Sequence, residues 1–143
     1  MQSAEGDIRL LGEKVRGITI AMMTSAEEDG TLHTRPMVAP DREFDGDLWF
    51  FTYADAPKVG EMERDRHVSL SYARPEGELY VAAAGTAQLV RDRQKVQDLW
   101  TPSLQTWFPG GSEDPRLALL QVRVERAEYW EGKESRMLSF GPA

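Results

Sequence analysis

The sequence predicts a mainly β (α+β) fold in which antiparallel strands close into a barrel, with short helices flanking it. Segments rich in β-branched, aromatic and other apolar residues recur along the chain, and clusters of Gly, Pro, Asp and Glu separate them. The regular alternation of strands and helices that builds a parallel sheet is missing. The chain has 143 residues, the size of one domain, and we therefore expect a single domain over residues 1–143.

We expect about seven strands, which a barrel would close without leaving open edges. The segments with the composition of strands are residues 17–25, 31–38, 47–53, 68–73, 79–89 and 117–130. Two residues inside these segments predict irregular points. Pro36 cannot donate a ladder hydrogen bond, so its strand should lie at an edge or be interrupted there, and something other than a neighbouring strand can face it. Gly85 predicts a bulge or a bend of the barrel.

Three short helices are predicted beside the strands. Asp7 can cap the first, because its carboxylate accepts hydrogen bonds from the amides of the first turn. Pro57 suits the first turn of the second helix, over residues 57–66, since its missing amide would have no helical partner there. Asp92 can cap the third helix, which ends at Trp100.

Composition excludes several classes of function. The formal net charge of −7 at pH 7 repels phosphodiester backbones, and no dense basic patch opposes it, so no nucleic-acid partner is expected. The chain has no cysteine, which excludes disulfides, thiolate catalysis and zinc–thiolate sites. No apolar stretch approaches the ~18 residues of a membrane span, and residues 1–7 do not resemble a signal peptide. We therefore expect no membrane association and a cytoplasmic location.

Three polar side chains form a candidate anion site. Lys58 lies in the first turn of the second predicted helix, where free backbone amides and the helix dipole favour an anion. Thr52 ends the preceding strand, and Arg35 carries a planar guanidinium that can clamp a phosphate through two parallel hydrogen bonds. From spacing alone, Arg35 and Lys58 are more simply explained as solvated surface charges. His33 and His67 belong to no metal-binding pattern, so no metal site is expected and no catalytic residue is assigned.

Aromatic residues form a second notable group, namely Trp100, Trp107, Phe108, Tyr129 and Trp130. Such side chains fill a core, line a dimer interface or stack beside a ring system, and a core or interface position is the commoner role. Trp107 differs from the others because it begins an irregular segment with Pro109, Gly110 and Gly111, where a core position is less natural.

Four short motifs follow one another in the chain: T-R-P-M at residues 34–37, L-W-F-F-T at 48–52, P-K-V at 57–59 and W-F-P-G-G-S-E-D-P at 107–115. In this order they resemble the FMN-binding split-barrel family, and best its general stress protein 26-like branch, which is related to pyridoxamine 5′-phosphate oxidase. The resemblance covers residues 8–130, nearly the whole chain. The stretch Y-W-E-G-K-E-S-R at residues 129–136 also resembles the oxidase's C-terminal F-W-x-G-x-x-x-R pattern.

The resemblance implies an antiparallel split β-barrel that forms a homodimer with two FMN sites at the subunit interface, each built from both chains. Arg35 and Lys58 would bind the FMN phosphate with Thr52 at its edge, and residues 33–37 would lie along the isoalloxazine. Trp107 and Phe108 would approach the ring from the partner subunit. The cofactor contacts implied in this way are His33, Thr34, Arg35, Pro36, Met37, Phe51, Thr52, Pro57, Lys58, Trp107, Phe108, Trp130 and Arg136.

Two departures from the family pattern narrow the function. Ala56 replaces a serine that relatives often place near the phosphate, at a cost of ~1 kcal/mol for one hydrogen bond. Leu138 stands where the oxidases have a histidine, which makes pyridoxamine phosphate a poor candidate substrate. The leading hypothesis is a flavin oxidoreductase with a nicotinamide donor or a small neutral or quinone-like substrate. The alternatives are a non-catalytic flavin-binding stress or sensor protein, and a split barrel that binds the deazaflavin F420 or haem.

Overall fold

The computed structural model describes residues 4–40, 42, 44–56, 59–60 and 66–140. The described elements are α1 (Ala4–Val15), β1 (Ile20–Ala26), β2 (Leu32–Val38), β3 (Asp47–Tyr53), β4 (His67–Arg74), β5 (Leu79–Val90), α2 (Arg93–Leu99), β6 (Leu117–Glu131) and β7 (Glu134–Ser139). Short 3-10 turns occupy Pro75–Gly77 and Pro102–Thr106. The predicted fold class is confirmed.

Six antiparallel strands close into a barrel in the order β3-β2-β1-β4-β5-β6, and β3 pairs with β6 to complete the ring. The length of β6 makes this closure possible, because its first half, Leu117 to Arg123, pairs with β3. Its second half, Arg126 to Glu131, pairs with β7 along the same edge. A strand of 15 residues therefore belongs both to the barrel and to a hairpin that extends beyond it.

Two apolar clusters lie on opposite sides of β3. Successive side chains of a strand point to opposite faces, so Phe50 points into the barrel, where it packs with Met23, Leu70 and Val122. Phe51 points outward into a second cluster beneath α2 and the following 3-10 turn, and the other buried members of that cluster are Val38, Val96, Leu104, Phe108, Leu117 and Leu119. The aromatic strand β3 is thus buried on both faces.

The bulge predicted at Gly85 is present. Ala84 pairs with Arg126 whereas Gly85 pairs with Val124, so that Glu125 of β6 is the extra residue. A Cβ at Gly85 would overlap the Arg123 carbonyl group and would lie 3.0 Å from the Val124 Cα. Glycine is required here because the two backbones approach too closely for any side chain.

The two helices differ in how their first turns are stabilised. Asp92 caps α2 as predicted, with its carboxylate accepting a hydrogen bond from the Lys95 amide at 3.1 Å. The prediction that Asp7 caps α1 is wrong, since that helix begins at Ala4. Asp7 is instead buried at 6% exposure, and its carboxylate accepts a hydrogen bond from the Ser139 amide at 3.0 Å. A tertiary contact to β7 explains this residue better than local capping does.

Two further predictions concern the last strand and the second helix. The predicted last strand does not end the fold, because a short hairpin turn leads on to β7. Its sequence, E-S-R-M-L-S, is too polar and too short to be recognised as a strand by itself. The helix predicted over residues 57–66 lies largely outside the described residues, of which Val59 and Gly60 are helical.

Candidate functional site

Three polar side chains that face the barrel interior lie at the same end of the barrel. Residues paired across antiparallel strands share a face of the sheet. Met23 is fully buried inside the barrel, so its partner Arg35 also points inward, and Ser25 lies one inward position further along β1. Thr52 shares the inward face of β3 with Phe50. Arg35, Ser25 and Thr52 therefore converge on the same end of the barrel.

Arg35 is held in place by a buried hydroxyl. Its guanidinium donates a hydrogen bond to the Ser25 Oγ at 2.6 Å, and Ser25 is 2% exposed. His33 lies next on the same face, with its Nδ1 3.5 Å from the Glu27 carboxylate. Arg35 itself is only half-buried, so its cationic group is oriented by Ser25 at the mouth of the barrel.

Thr52 carries a polar atom that the protein leaves without a partner. The residue is 1% exposed, and within the described part of the chain its Oγ1 makes no hydrogen bond. Burying a hydroxyl without compensation costs roughly 1–3 kcal/mol, and an unsatisfied group in a native fold calls for an explanation. A bound ligand that supplies an acceptor at this end of the barrel would remove that cost.

The split lies between β2 and β3, where the ladder is reduced to the single pair Val38 and Phe51. By contrast, β2 pairs with β1 along its full length, Pro36 included. The edge of β2 before Val38 therefore makes no ladder contact with β3 in the described residues, as the proline predicted. Thr52 follows Phe51, which places it at the point where the two strands part.

The residues predicted to line the isoalloxazine are divided between two faces of β2. His33, Arg35 and Met37 point inward, and Met37 is buried at 1% exposure. Thr34 and Pro36 point outward, with the Thr34 hydroxyl 2.7 Å from that of Thr24. A planar ligand along this strand would contact both sets through the backbone between them, because the side chains diverge.

The neighbouring aromatic residues Trp107 and Phe108 occupy different environments. Phe108 is buried in the second cluster, 5.2 Å from the Tyr53 ring and 6.1 Å from the Phe51 ring between centroids. Trp107 is 50% exposed. Within one chain, Phe108 and Phe51 are therefore core residues, whereas Trp107 is free to contact another surface.

Trp130 and Arg136, the last two predicted cofactor contacts, lie on different faces of the sheet. Trp130 pairs with Ser135 and Tyr129 pairs with Arg136, so Trp130 and Arg136 point to opposite faces of the β6–β7 hairpin. Trp130 is 41% exposed on the outward face, whereas Arg136 shares the face of the buried Tyr129. The roles of both residues stay predictions, and so do those of Pro57 and Lys58, which lie outside the described residues.

An outward apolar face was not recognised from the sequence. Five of the large exposed apolar residues share it, namely Met22, Leu32, Tyr80, Trp130 and Met137. Pairing aligns Met22, Ser71, Ala82, Glu128 and Met137 in one row across β1, β4, β5, β6 and β7. The alternation of small and apolar residues in these strands was the available signal. Isolated exposed apolar residues are ordinary, but Tyr80 and Trp130 are paired and Met137 lies on the strand next to Trp130, and an adjoining group of this kind indicates an interaction surface.

The fold defines a split β-barrel, and the family follows from the sequence. The profile of the pyridoxamine 5′-phosphate oxidase-like family matches residues 6–141, and the chain belongs to that family. It is 31% identical over 119 residues to protein bli-3 of Neurospora crassa, covering 76% of this chain and 57% of that protein. The chain thus spans little more than half the length of that relative.

Solved structures agree with this assignment. A protein related to general stress protein 26 from Clostridium acetobutylicum superimposes with a TM-score of 0.79 at 19% identity, covering 96% of each chain. The general stress FMN/FAD binding protein of Xanthomonas citri has a TM-score of 0.74 at 26% identity, covering 97% of this chain and 98% of its own. Separately, none of the helices in the described ranges is long and apolar enough to cross a membrane.

Proposed function

We propose that this protein binds FMN at the end of the barrel where β2 and β3 part, and that it acts there as a flavin-dependent oxidoreductase. The observation that carries the proposal is the buried Thr52 hydroxyl, which lacks a partner within the described residues and lies at the same end of the barrel as the oriented Arg35. The FMN/FAD-binding relative from Xanthomonas citri supports a flavin as the ligand.

The residues present fit a phosphate-bearing cofactor. The Arg35 guanidinium, fixed by Ser25 at 2.6 Å, would bind the phosphate, and the Thr52 Oγ1 would donate its unused hydrogen bond to it. Lys58 would add a second cation by resemblance to the family. Together these groups would compensate the negative charge of the phosphate, which the acidic chain as a whole repels.

When bound, FMN supplies hydride and electron transfer. The chain's own residues bind and orient the cofactor: Arg35 and Thr52 would hold the phosphate, and the open edge of β2 would present backbone groups to the ring. Met37, Met23 and Phe50 fill the barrel behind this edge and keep water from it. No side chain has to carry a proton for the protein to perform this role.

The proposal includes a homodimer, with the outward apolar face as the subunit interface. That face carries Met22, Tyr80, Trp130 and Met137 at 41–62% exposure, with Ser71, Ala82 and Glu128 between Met22 and Met137. A self-complementary, patch-like surface of this kind suits a twofold dimer. The exposed Trp107 would then reach the partner's flavin.

The spectrum of the freshly purified protein tests the cofactor, followed by the mass of the extracted chromophore. We expect flavin absorbance and the mass of FMN; a haem or F420 mass, or a colourless protein that takes up no FMN, would contradict the proposal. Arg35→Gln should weaken FMN binding about tenfold or more, whereas the matched exposed variant Arg91→Gln should not.

Stopped-flow mixing with NADH and NADPH tests the reaction. We expect one of the donors to bleach the bound flavin and an added quinone to restore its colour. If neither NADH nor NADPH reduces the bound flavin, and no compound in a panel of small substrates reacts with it, the protein has a storage or sensing role instead of an enzymatic one.

Light scattering of eluting protein tests the dimer. Met137→Glu places a charge on the proposed interface and should shift the mass towards the monomer. Arg91→Gln changes the net charge by the same amount away from that face and should leave the mass unchanged. If both variants keep the parent mass, the interface lies elsewhere.

A further inference from the structure

A cavity of about 480 Å³ opens at the end of the barrel opposite Arg35 and Thr52. Its walls are the C-terminal half of α1, the residues just before β1 and just after β2, and the first residues of β3. This volume is within the range of small-molecule sites. None of the thirteen predicted flavin contacts lines it, so it is separate from the proposed FMN site.

Tyr72 forms the inner wall of the cavity and presents an unused polar group to it. The residue is 4% exposed and lines the cavity, yet among the described residues no hydrogen-bond partner meets its hydroxyl. Burial raises the pKa of Tyr72 above the ordinary value for tyrosine, so the hydroxyl is neutral and able to donate a hydrogen bond. The hydroxyl is not one of the fully enclosed polar atoms that lack a partner among the described residues, which are Asp7 Oδ1 and Thr52 Oγ1, so it is open to the cavity and a ligand there can reach it.

The side of the cavity formed by α1 is cationic. Arg9, Gly12, Glu13 and Arg16 all line it, because residues three, four and seven positions apart share one face of a helix. Between the two arginines α1 packs closely against Phe44, since a Cβ at Gly12 would lie 3.4 Å from the Phe44 Cβ. In the described part of the chain, neither guanidinium has an ion-pair partner.

The charges around the cavity leave an excess of one positive charge among the described residues. Arg42 is paired with Asp45 at 3.2 Å, and Asp47 is paired with Arg123 of β6 at 3.7 Å. Arg9 and Arg16 then face a single unpaired carboxylate, that of Glu13. Asp41 and Glu43, in the same connection, lie outside the described residues.

Three aromatic side chains also line the cavity, Phe44, Trp49 and Tyr72. Trp49 is positioned by cations, with the Lys95 Nζ 4.3 Å and the Arg42 guanidinium 5.9 Å from its ring centroid. A flat apolar ligand would pack against these rings.

We propose that this cavity is a second ligand site, which binds a small aromatic monoanion with its acidic group at Arg9 and Arg16 and a polar ring substituent at the Tyr72 hydroxyl. The aromatic side chains select a planar ring, the α1 face selects one negative charge, and Tyr72 selects a hydrogen-bond acceptor. The proposal does not depend on the flavin, since it uses no residue of that site.

Fluorescence titration of the purified holoprotein with 8-anilinonaphthalene-1-sulfonate, an aromatic monoanion, tests the site. We expect one saturable site per chain. Arg9→Gln and Arg16→Gln should each weaken binding about three- to tenfold, and Arg91→Gln, in the connection between β5 and α2 and outside the cavity lining, should not change it. The uncharged analogue N-phenyl-1-naphthylamine should bind the parent and both arginine variants equally.

Tyr72→Phe gives an independent readout because it removes the hydroxyl alone. Without ligand, the variant should melt at the parent temperature or higher, since no described residue loses a hydrogen bond. A chlorinated or hydroxylated benzoate that accepts from this hydroxyl should bind about two- to tenfold more weakly. A lower melting temperature of Tyr72→Phe, equal binding to the arginine variants, or no saturable binding would each overturn the proposal.

Discussion

The two sides of the barrel are built differently, although both consist of antiparallel strands. From β4 through β5 to β6 the ladders are long: β4 pairs with β5 at eight positions, and β5 pairs with β6 at twelve positions interrupted by one bulge. Between β2 and β3 a single pair remains, Val38 with Phe51. The first side is held by backbone hydrogen bonds, and the second by side chains packed on both faces of β3.

This difference separates the strands that stabilise the barrel from the edge that we propose binds the ligand. A continuous ladder leaves no backbone group for a ligand, whereas a split edge leaves a row of them. The split is tolerated because β3 is anchored along its whole length to β6. Its other edge can therefore open beside Arg35 and Thr52 without loss of the fold.

The largest expected effect is on the closed side. Gly85→Val places a side chain against the Arg123 carbonyl and the Val124 Cα, so β5 and β6 must separate at their bulge, and we expect a loss of about 3–5 kcal/mol in the free energy of unfolding. Urea denaturation measures it. Gly60→Ala, where an added Cβ meets nothing within 4 Å, is the control, and equal stability of both variants would show that the close approach is not structural.

Trp107 and Phe108 sharpen the comparison at the split side. Phe108→Ala should cost about 3–4 kcal/mol of stability, because it empties the second cluster beneath β3. Trp107→Ala should cost less than about 1 kcal/mol and should instead weaken flavin binding and dimer formation. Chemical denaturation and flavin titration of both variants measure these effects. A Phe108→Ala variant with weaker flavin binding but unchanged stability would contradict this division.

Thr52→Val tests the buried hydroxyl at the point of the split. The shape is kept, so the flavin-free protein should be as stable as the parent or slightly more stable, and FMN affinity should fall by about 1 kcal/mol. Thr86→Val, a threonine of β5 away from the split, is the matched control. A Thr52→Val variant that binds FMN as the parent does would show that its hydroxyl does not meet the cofactor.

The smallest effect concerns the segment that carries Trp107. The hydrogen bonds of Arg116 to Asp114, from the side chain at 2.8 Å and from the amide at 2.9 Å, lower the pKa of Asp114 below 3.8. The ionised form is favoured by folding, so its stabilising effect is present above the ordinary value and is lost as the pH falls through the lowered pKa. Asp114→Asn should speed hydrogen exchange in residues 107–116 at pH 7 and match the parent at pH 2. Asp98→Asn serves as the control.

Much of the fold could be predicted because it depends on local patterns. The strand segments, the cap at Asp92, the bulge at Gly85 and the open edge at Pro36 each follow from the backbone chemistry of one or a few residues. Asp7 and β7 could not be predicted in this way. Asp7 is explained by its contact with Ser139, 132 residues away, and the polar strand β7 is held by pairing with β6.

The candidate site shows the same division. Sequence motifs identified Arg35 and Thr52, but as residues separated by a strand and a loop, with a surface role as the simpler explanation for Arg35. The structure brings both to one end of the barrel and shows that Ser25 orients Arg35. It also assigns Phe108 to the core and Trp107 to the surface, which adjacent aromatic residues cannot reveal in sequence.

By itself, the sequence determined where most of the strands lie along the chain and where they become irregular, at Pro36 and Gly85. It also determined a family resemblance that implies a flavin. Only the tertiary structure decided which faces of the strands meet, that β2 and β3 part before Val38 and after Phe51, that a face of apolar residues remains exposed, and that Tyr72 faces a cavity beneath α1. The physical reason is that composition and periodicity act over a few residues, whereas closing the barrel sets the register between strands and thereby decides which distant side chains share an environment.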